Sequence, residues 1–169
     1  MEKAEMTPQY LLEIARDTIE GVEYCFLITL NKSGQANARL VQHFKPEAEL
    51  TIWIGTSSKS RKVREILYQC HTTLTFQDDR DYSYVTLLGS ASVETDLNQR
   101  QRYWHDDSIA YFPAGPGGND YVLIKFVPSR IELMNFTRGV TPEPFGLRPA
   151  ALARAEESWV LEGRGDFRC

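Results

Sequence analysis

A short polar segment between a predicted strand and a predicted helix carries the residues best suited to chemistry. It reads T-S-S-K-S-R-K from Thr56 to Lys62, with hydroxyl groups first and cations after them. Arg61 and Lys62 fall in the first helical turn, where each positive charge opposes the helix dipole at a cost of up to ~1 kcal/mol. A bound phosphate would offset that cost, because backbone N–H groups and the Ser60 hydroxyl at a helix start form an anion site. A solvated basic helix start is the alternative that these residues leave open.

A further cation, Arg39, lies inside a predicted strand, in the segment A-R-L-V and on the face opposite Leu40. A guanidinium near the interior of a barrel needs an anionic partner, because burying an unpaired charge is costly. A phosphate would supply that partner, and a structural salt bridge would supply it equally well. We refer below to four residues as the basic cluster: Arg39, Ser60, Arg61 and Lys62.

The elements that must position these residues are mostly strands. Apolar runs bounded by turn residues predict six of them, and the turn N-K-S-G at residues 31–34 joins the first two as a hairpin. The predicted strands cover residues 24–30, 36–44, 50–56, 72–76, 83–93 and 121–127, and the last continues over 131–136. Hairpin connections and few helices predict a mainly β fold, a six-stranded antiparallel barrel with peripheral helices.

Three short helices are predicted around the barrel. The first has Thr7 as its N-cap and ends at Gly21, and the third begins after Asp96. The second lies within residues 57–70 and is predicted to bury an apolar face made of Val63, Ile66, Leu67 and Cys70.

Four segments of the chain, in their order and spacing, carry a family resemblance. They are Arg39-Leu40-Val41, Thr56 with Ser60-Arg61-Lys62-Val63, the strand from Tyr84 to Ala91, and the loop Y-F-P-A-G at 111–115 with V-L-I at 122–124 and V-P at 127–128. Together they resemble the pyridoxamine 5'-phosphate oxidase-like FMN-binding split barrels, and most of all their general-stress-protein branch. The likeness spans residues 7–136. We therefore expect a split-barrel domain over residues 1–136 and a C-terminal extension over 137–169 that packs on the barrel or on a dimer partner.

The resemblance also implies a cofactor, FMN, and a position for it. The basic cluster would hold the FMN phosphate. Five residues would run beside the isoalloxazine ring and the ribityl chain with backbone contacts: Leu40, Val41, Ile54, Gly55 and Thr56. Because the family places its flavin between two subunits, the resemblance implies a homodimer, in which Tyr84 approaches the cofactor from either subunit.

Three positions depart from the true oxidase, which carries glutamine, lysine and tryptophan where this chain has Tyr84, Phe44 and Met134. The oxidase's R-x-H motif for the substrate phosphate has no counterpart after Asn135. We therefore expect a flavin-dependent oxidoreductase that acts on a small molecule or a redox carrier, and not on pyridoxamine phosphate. No catalytic proton donor is evident.

Two alternatives to this function are open at the level of sequence. One is an FMN-binding stress protein without turnover, which stores flavin or senses stress. The other is a split barrel that binds deazaflavin or haem, as some related barrels do.

Composition narrows the remaining classes of protein. The chain has 169 residues, of which 42% are hydrophobic and 25% are charged, as expected for one soluble globular domain. A net charge of -4 argues against a nucleic-acid partner, and no apolar run reaches membrane-spanning length. The three cysteines are scattered without a C-x-x-C pair, which indicates a reducing compartment, and no secretory signal is visible at the N-terminus. A cytoplasmic location is therefore predicted. The three histidines, His43, His71 and His105, do not have the spacing of metal ligands, so no metal site is predicted. Each is expected on the surface of a strand or helix.

Overall fold

Eight antiparallel strands form one sheet in the part of the chain that the computed structural model describes, residues 6–142 and 148–163. They are β1 (Tyr24–Leu30), β2 (Ala36–Gln42), β3 (Ile52–Ser57), β4 (His71–Asp78), β5 (Ser83–Glu94), β6 (Tyr121–Asn135), β7 (Ala150–Ala155) and β8 (Ser158–Leu161). Their hydrogen-bonded order is β2-β1-β4-β5-β6-β7-β8, and β3 pairs with the first half of β6. The mainly β, antiparallel fold predicted from sequence is confirmed, with eight strands in place of six.

The two additional strands lie in the region expected as a C-terminal extension. β7 reads A-A-L-A-R-A, and alanine-rich segments have low β propensity, so the sequence gives little sign of a strand there. β7 pairs with β6 from Arg130 to Leu133, and β8 folds back on β7. Trp159 of β8 is buried in the main core, and its indole N–H donates to the Glu49 carboxylate at 2.7 Å. Residues 143–147 and 164–169 of the expected extension lie outside the described residues.

Three α-helices occur in the described residues: α1 (Pro8–Glu20), α2 (Arg61–Tyr68) and α3 (Leu97–Arg102). The predicted N-caps of α1 and α3 are confirmed, since Thr7 accepts from the Tyr10 N–H and Asp96 accepts from the Gln99 N–H. Short 3-10 turns cover Ala48–Leu50 and Asp106–Ala110. No helix among these residues is both long and apolar enough to cross a lipid bilayer.

The predicted apolar face of α2 is partly wrong. Val63 and Ile66 are buried as expected, but Leu67 is 71% exposed and Cys70 lies beyond the helix on the surface. Glu65 is buried in their place. The helix ends at Tyr68, so it buries only a narrow face. The Glu65 carboxylate can be buried because residues of two strands donate hydrogen bonds to it.

The outer face of the β1–β2 hairpin is apolar and exposed. Tyr24, Phe26 and Leu40 are about half exposed, at 48%, 50% and 58%. Phe26 and Leu40 are directly paired across the two strands, so their side chains form one continuous surface on the side away from the core. We call these three residues the apolar sheet face.

Candidate functional site

A cavity of about 220 Å³ lies where β2, β3 and the start of α2 approach the loop after α3. Five of the ten residues predicted to bind the cofactor line it: Leu40, Val41, Gly55, Thr56 and Lys62. Six further residues complete its lining: Gln42, Phe44, His105, Ser108, Phe112 and Tyr121. Lys62 is the cation in this lining, and the four aromatic residues form what we call the aromatic wall: Phe44, His105, Phe112 and Tyr121.

The other five predicted residues do not line this cavity. Ser60 is the N-cap residue of α2, and Arg61 is an exposed residue of its first turn. Ile54 precedes Gly55 in β3, but its side chain is buried in the core. Tyr84 lies on β5, beside Met134 of β6 and away from the cavity lining.

Arg39, the fifth of these residues, has a carboxylate partner within the chain. One guanidinium nitrogen donates to the Leu27 carbonyl at 3.2 Å and to the Thr29 hydroxyl at 2.5 Å. The other donates to the Glu65 carboxylate at 2.9 Å. Of the two partners that the sequence left open for this arginine, the described structure contains the internal salt bridge.

The Glu65 carboxylate is held by three donors at once. Besides Arg39, it accepts from the Thr29 hydroxyl at 2.5 Å and from the Asn37 amide at 2.7 Å. Burial by itself would raise the pKa of Glu65, but the hydrogen bonds from Thr29, Arg39 and Asn37 outweigh it and lower that pKa below its usual value. The carboxylate is therefore ionised at neutral pH.

Lys62 differs from Arg39 in having no such partner. It is partly buried, and no carboxylate forms an ion pair with it within residues 6–142 and 148–163. Burial, and then the nearby charge of Arg39, lower the pKa of the Lys62 ammonium. A cation in this setting is stabilised by an anion, and the cavity beside it has room for one.

The Ser60 hydroxyl gives a second sign of a missing ligand at the same helix start. Its oxygen is buried and has no hydrogen-bond partner in the described part of the chain. Buried hydroxyl groups are normally hydrogen-bonded. Ser60 and Lys62, two residues apart in sequence, therefore fit a phosphate or another anion.

Gly55 allows β3 to pack closely against the aromatic wall. A Cβ atom there would overlap the Tyr121 hydroxyl and lie 2.8 Å and 2.9 Å from Cε2 and Cζ of that ring. The Tyr121 hydroxyl is fixed by a hydrogen bond to the Tyr103 carbonyl at 2.5 Å. The glycine is thus required by the close approach of a buried tyrosine.

The aromatic wall was not predicted from sequence, and His105 is its least expected member. Its ring stacks on Phe44 with centroids 4.3 Å apart and an angle of 5°. Its Nε2 is buried and has no hydrogen-bond partner among the described residues. The ring is therefore partly buried, whereas a surface position was expected. Aromatic residues cluster in two segments, Y-W-H at 103–105 and Y-F-P at 111–113, and such clusters in a loop could have indicated the wall.

His43 was also expected on the surface and is buried instead. Both of its ring nitrogens lie 2.9 Å from backbone carbonyl oxygens, those of Val22 and Phe44. Its role is structural. His71 is exposed, as predicted.

A family model described as "Pyridoxamine 5'-phosphate oxidase like" matches residues 12–139. This range includes the cavity lining and all ten predicted site residues. No curated protein matches the chain.

Solved structures share the fold at low sequence identity. A protein related to general stress protein 26 from Clostridium acetobutylicum has a TM-score of 0.67 at 20% identity, over 78% of this chain and 92% of that one. A pyridoxamine 5'-phosphate oxidase-related, FMN-binding protein from Nostoc punctiforme has a TM-score of 0.66 at 14% identity, over 94% and 97%. A heme-binding protein from Mycobacterium smegmatis has a TM-score of 0.59 at 17% identity, over 82% and 56%.

These neighbours confirm the split-barrel architecture. The family model covers well over half of the sequence, including every strand that forms the cavity. The chain belongs to the pyridoxamine 5'-phosphate oxidase-like family.

Proposed function

We propose that the cavity binds FMN and that the protein is a flavin-dependent oxidoreductase. The observation that carries this proposal is the closeness in sequence of two groups that have no partner in the described part of the chain: the partly buried Lys62 ammonium lacks a carboxylate, and the buried Ser60 hydroxyl lacks a hydrogen bond. Both groups lie at the start of α2, where backbone N–H groups also favour an anion. Ser60 and Lys62 would hold the FMN phosphate, with Arg39 and Arg61 contributing positive charge nearby.

The remaining lining of the cavity suits the ring system of a flavin. Leu40, Val41, Gly55 and Thr56 line it together with the four aromatic residues Phe44, His105, Phe112 and Tyr121. Aromatic side chains pack against planar ligands and exclude water from them. The Nε2 of His105 is available for a hydrogen bond to the bound ring.

We propose that the functional unit is a homodimer. A cavity of about 220 Å³ is smaller than the roughly 300–1,000 Å³ typical of sites for ligands of this size, so another surface must cover part of the cofactor. Leu40 belongs to both the cavity lining and the apolar sheet face. A second copy packed on that face would close the cavity, and its outward-facing Tyr84 would then approach the flavin.

When bound, FMN supplies hydride or electron transfer. The contribution of this chain is to bind the phosphate at α2, to orient the ring against the residues that line the cavity, and to exclude water. The substrate is a small molecule or a redox carrier. Pyridoxamine phosphate is not proposed as the substrate, because the cross-strand pair Tyr84 and Met134 replaces the oxidase's glutamine and tryptophan.

Absorption spectroscopy of the purified protein, incubated with FMN and then desalted, tests the cofactor. We expect the two-banded flavin spectrum, and an intense Soret band with no flavin bands would instead support a haem protein like the Mycobacterium smegmatis neighbour. Anaerobic addition of NADPH or NADH then tests catalysis. Bleaching of the flavin followed by reoxidation with an added acceptor supports an oxidoreductase, and an unreactive bound flavin supports a storage or sensing role.

A further inference from the structure

A buried carboxylate lies within the basic cluster. Glu65 is 8% exposed and accepts hydrogen bonds from Thr29, Asn37 and Arg39. The second guanidinium of the cluster is also near it, since Nε of Arg61 lies 3.7 Å from Oε1 of Glu65. Two of the three cations that surround the proposed phosphate site are therefore already next to a negative charge.

This carboxylate cannot easily move away when an anion binds. Thr29 and Asn37 hold it from β1 and β2, and α2 carries it one turn after the helix start. A phosphate at Ser60 and Lys62 must consequently share Arg39 and Arg61 with Glu65. The Glu65 carboxylate and a phosphate that share these guanidinium groups carry like charges and repel each other, and partial desolvation of the site strengthens the repulsion.

We propose that Glu65 competes with the phosphate for Arg39 and thereby limits the preference of the site for FMN over unphosphorylated flavin. The inference rests on the proposed function and refines it. Arg39 and Glu65 then act as a nearly neutral pair, and Lys62 is the cation that distinguishes FMN from riboflavin.

The variant Glu65→Gln tests this competition, because it keeps the size and polarity of the side chain and removes its charge. Titration of FMN and of riboflavin, followed by flavin fluorescence, gives an affinity ratio for each protein. We expect the FMN affinity to rise about tenfold and the riboflavin affinity to stay the same. The control is Glu157→Gln, which makes the same charge change at an exposed site before β8 and should leave both affinities unchanged.

A double variant, Arg39→Met with Glu65→Met, guards against a folding defect in the single variant. Buried ion pairs are often replaced by apolar residues of similar size without loss of stability. If the pair is nearly neutral towards the phosphate, the double variant keeps the wild-type ratio of FMN to riboflavin affinity within about threefold.

Two results would overturn the inference while leaving FMN binding intact. One is a folded Glu65→Gln protein that binds FMN no more tightly than wild type. The other is a double variant that loses tenfold or more of the FMN preference, since Arg39 would then be a full phosphate ligand. A wild-type protein that binds neither flavin would instead overturn the proposed function, and this inference with it.

Discussion

At the scale of single residues, the site is defined by polar groups without partners. Arg39 of β2 and Lys62 of α2 are both cations near the start of that helix, but among the described residues Arg39 has a carboxylate partner and Lys62 has none. The free energy that favours an anion therefore comes from Lys62 and from the buried Ser60 hydroxyl. Residue type alone does not distinguish the two cations, because the difference depends on the position of Glu65.

Replacing His105 by Phe should weaken the binding of FMN and of riboflavin by the same factor. Phenylalanine preserves the stack on Phe44 but removes the buried Nε2. One hydrogen bond contributes about 1 kcal/mol, so we expect a loss of roughly fivefold in affinity for FMN and for riboflavin alike. Fluorescence titrations measure both values. A loss confined to FMN would show that His105 acts at the phosphate and not at the ring.

Replacing Gly55 by Ala should disturb the cavity by overpacking. The added Cβ would overlap the Tyr121 ring, which is held in place by its hydrogen bond to Tyr103. We expect the free energy of unfolding to fall by about 1–3 kcal/mol, together with reduced flavin binding. Urea unfolding measures the first effect.

The matched control for this variant is Gly117→Ala, where a new Cβ would meet only the Leu97 side chain at 3.8 Å. It should behave as wild type. Equal stability of the two alanine variants would contradict the proposed close packing at Gly55.

At the scale of elements, the central strands and the helix starts could be predicted from sequence because local signals determine them. Alternating apolar residues indicate β5, and Thr7 and Asp96 mark the caps of α1 and α3. The alanine-rich β7 could not be predicted, since its pairing with β6, and not its own residue types, makes it a strand. Glu65 was missed for the same reason, because its burial depends on donors from two other strands.

The β7–β8 hairpin should contribute strongly to stability through Trp159. This side chain is 7% exposed and donates to Glu49, which lies in the 3-10 turn before β3. Trp159→Ala should lower the free energy of unfolding by about 3–5 kcal/mol. Urea unfolding measures the change. Val160→Ala is the control, since Val160 is 44% exposed. Equal stability of the two variants would show that the hairpin is dispensable for the core.

At the scale of the whole molecule, the apolar sheet face is the surface on which we expect a second copy to pack. Its residues adjoin the cavity through Leu40, so dimerisation and flavin binding should be coupled. Obligate dimers bury large and mostly apolar surfaces, which suits a face built from tyrosine, phenylalanine and leucine.

Phe26→Glu should therefore produce a monomer that binds FMN weakly. Phe26 does not line the cavity, so any loss of flavin would come through the lost partner. Light scattering across micromolar concentrations measures the mass, and Val160→Glu is a control with a charge placed on another exposed apolar side chain. Wild-type protein that remains monomeric at these concentrations would contradict the proposed dimer.

The central claim is that Lys62 binds the phosphate of FMN, and a pair of titrations tests it most directly. A charge-assisted hydrogen bond contributes roughly 1.5–3 kcal/mol, so Lys62→Ala should weaken FMN binding by about tenfold to a hundredfold and scarcely change riboflavin binding. The exposed neighbour Lys59 provides the control, and Lys59→Ala should leave both affinities unchanged. Equal affinity of the wild-type protein for FMN and riboflavin would contradict the claim. The cations at the start of α2 would then be solvated surface residues that bind no phosphate.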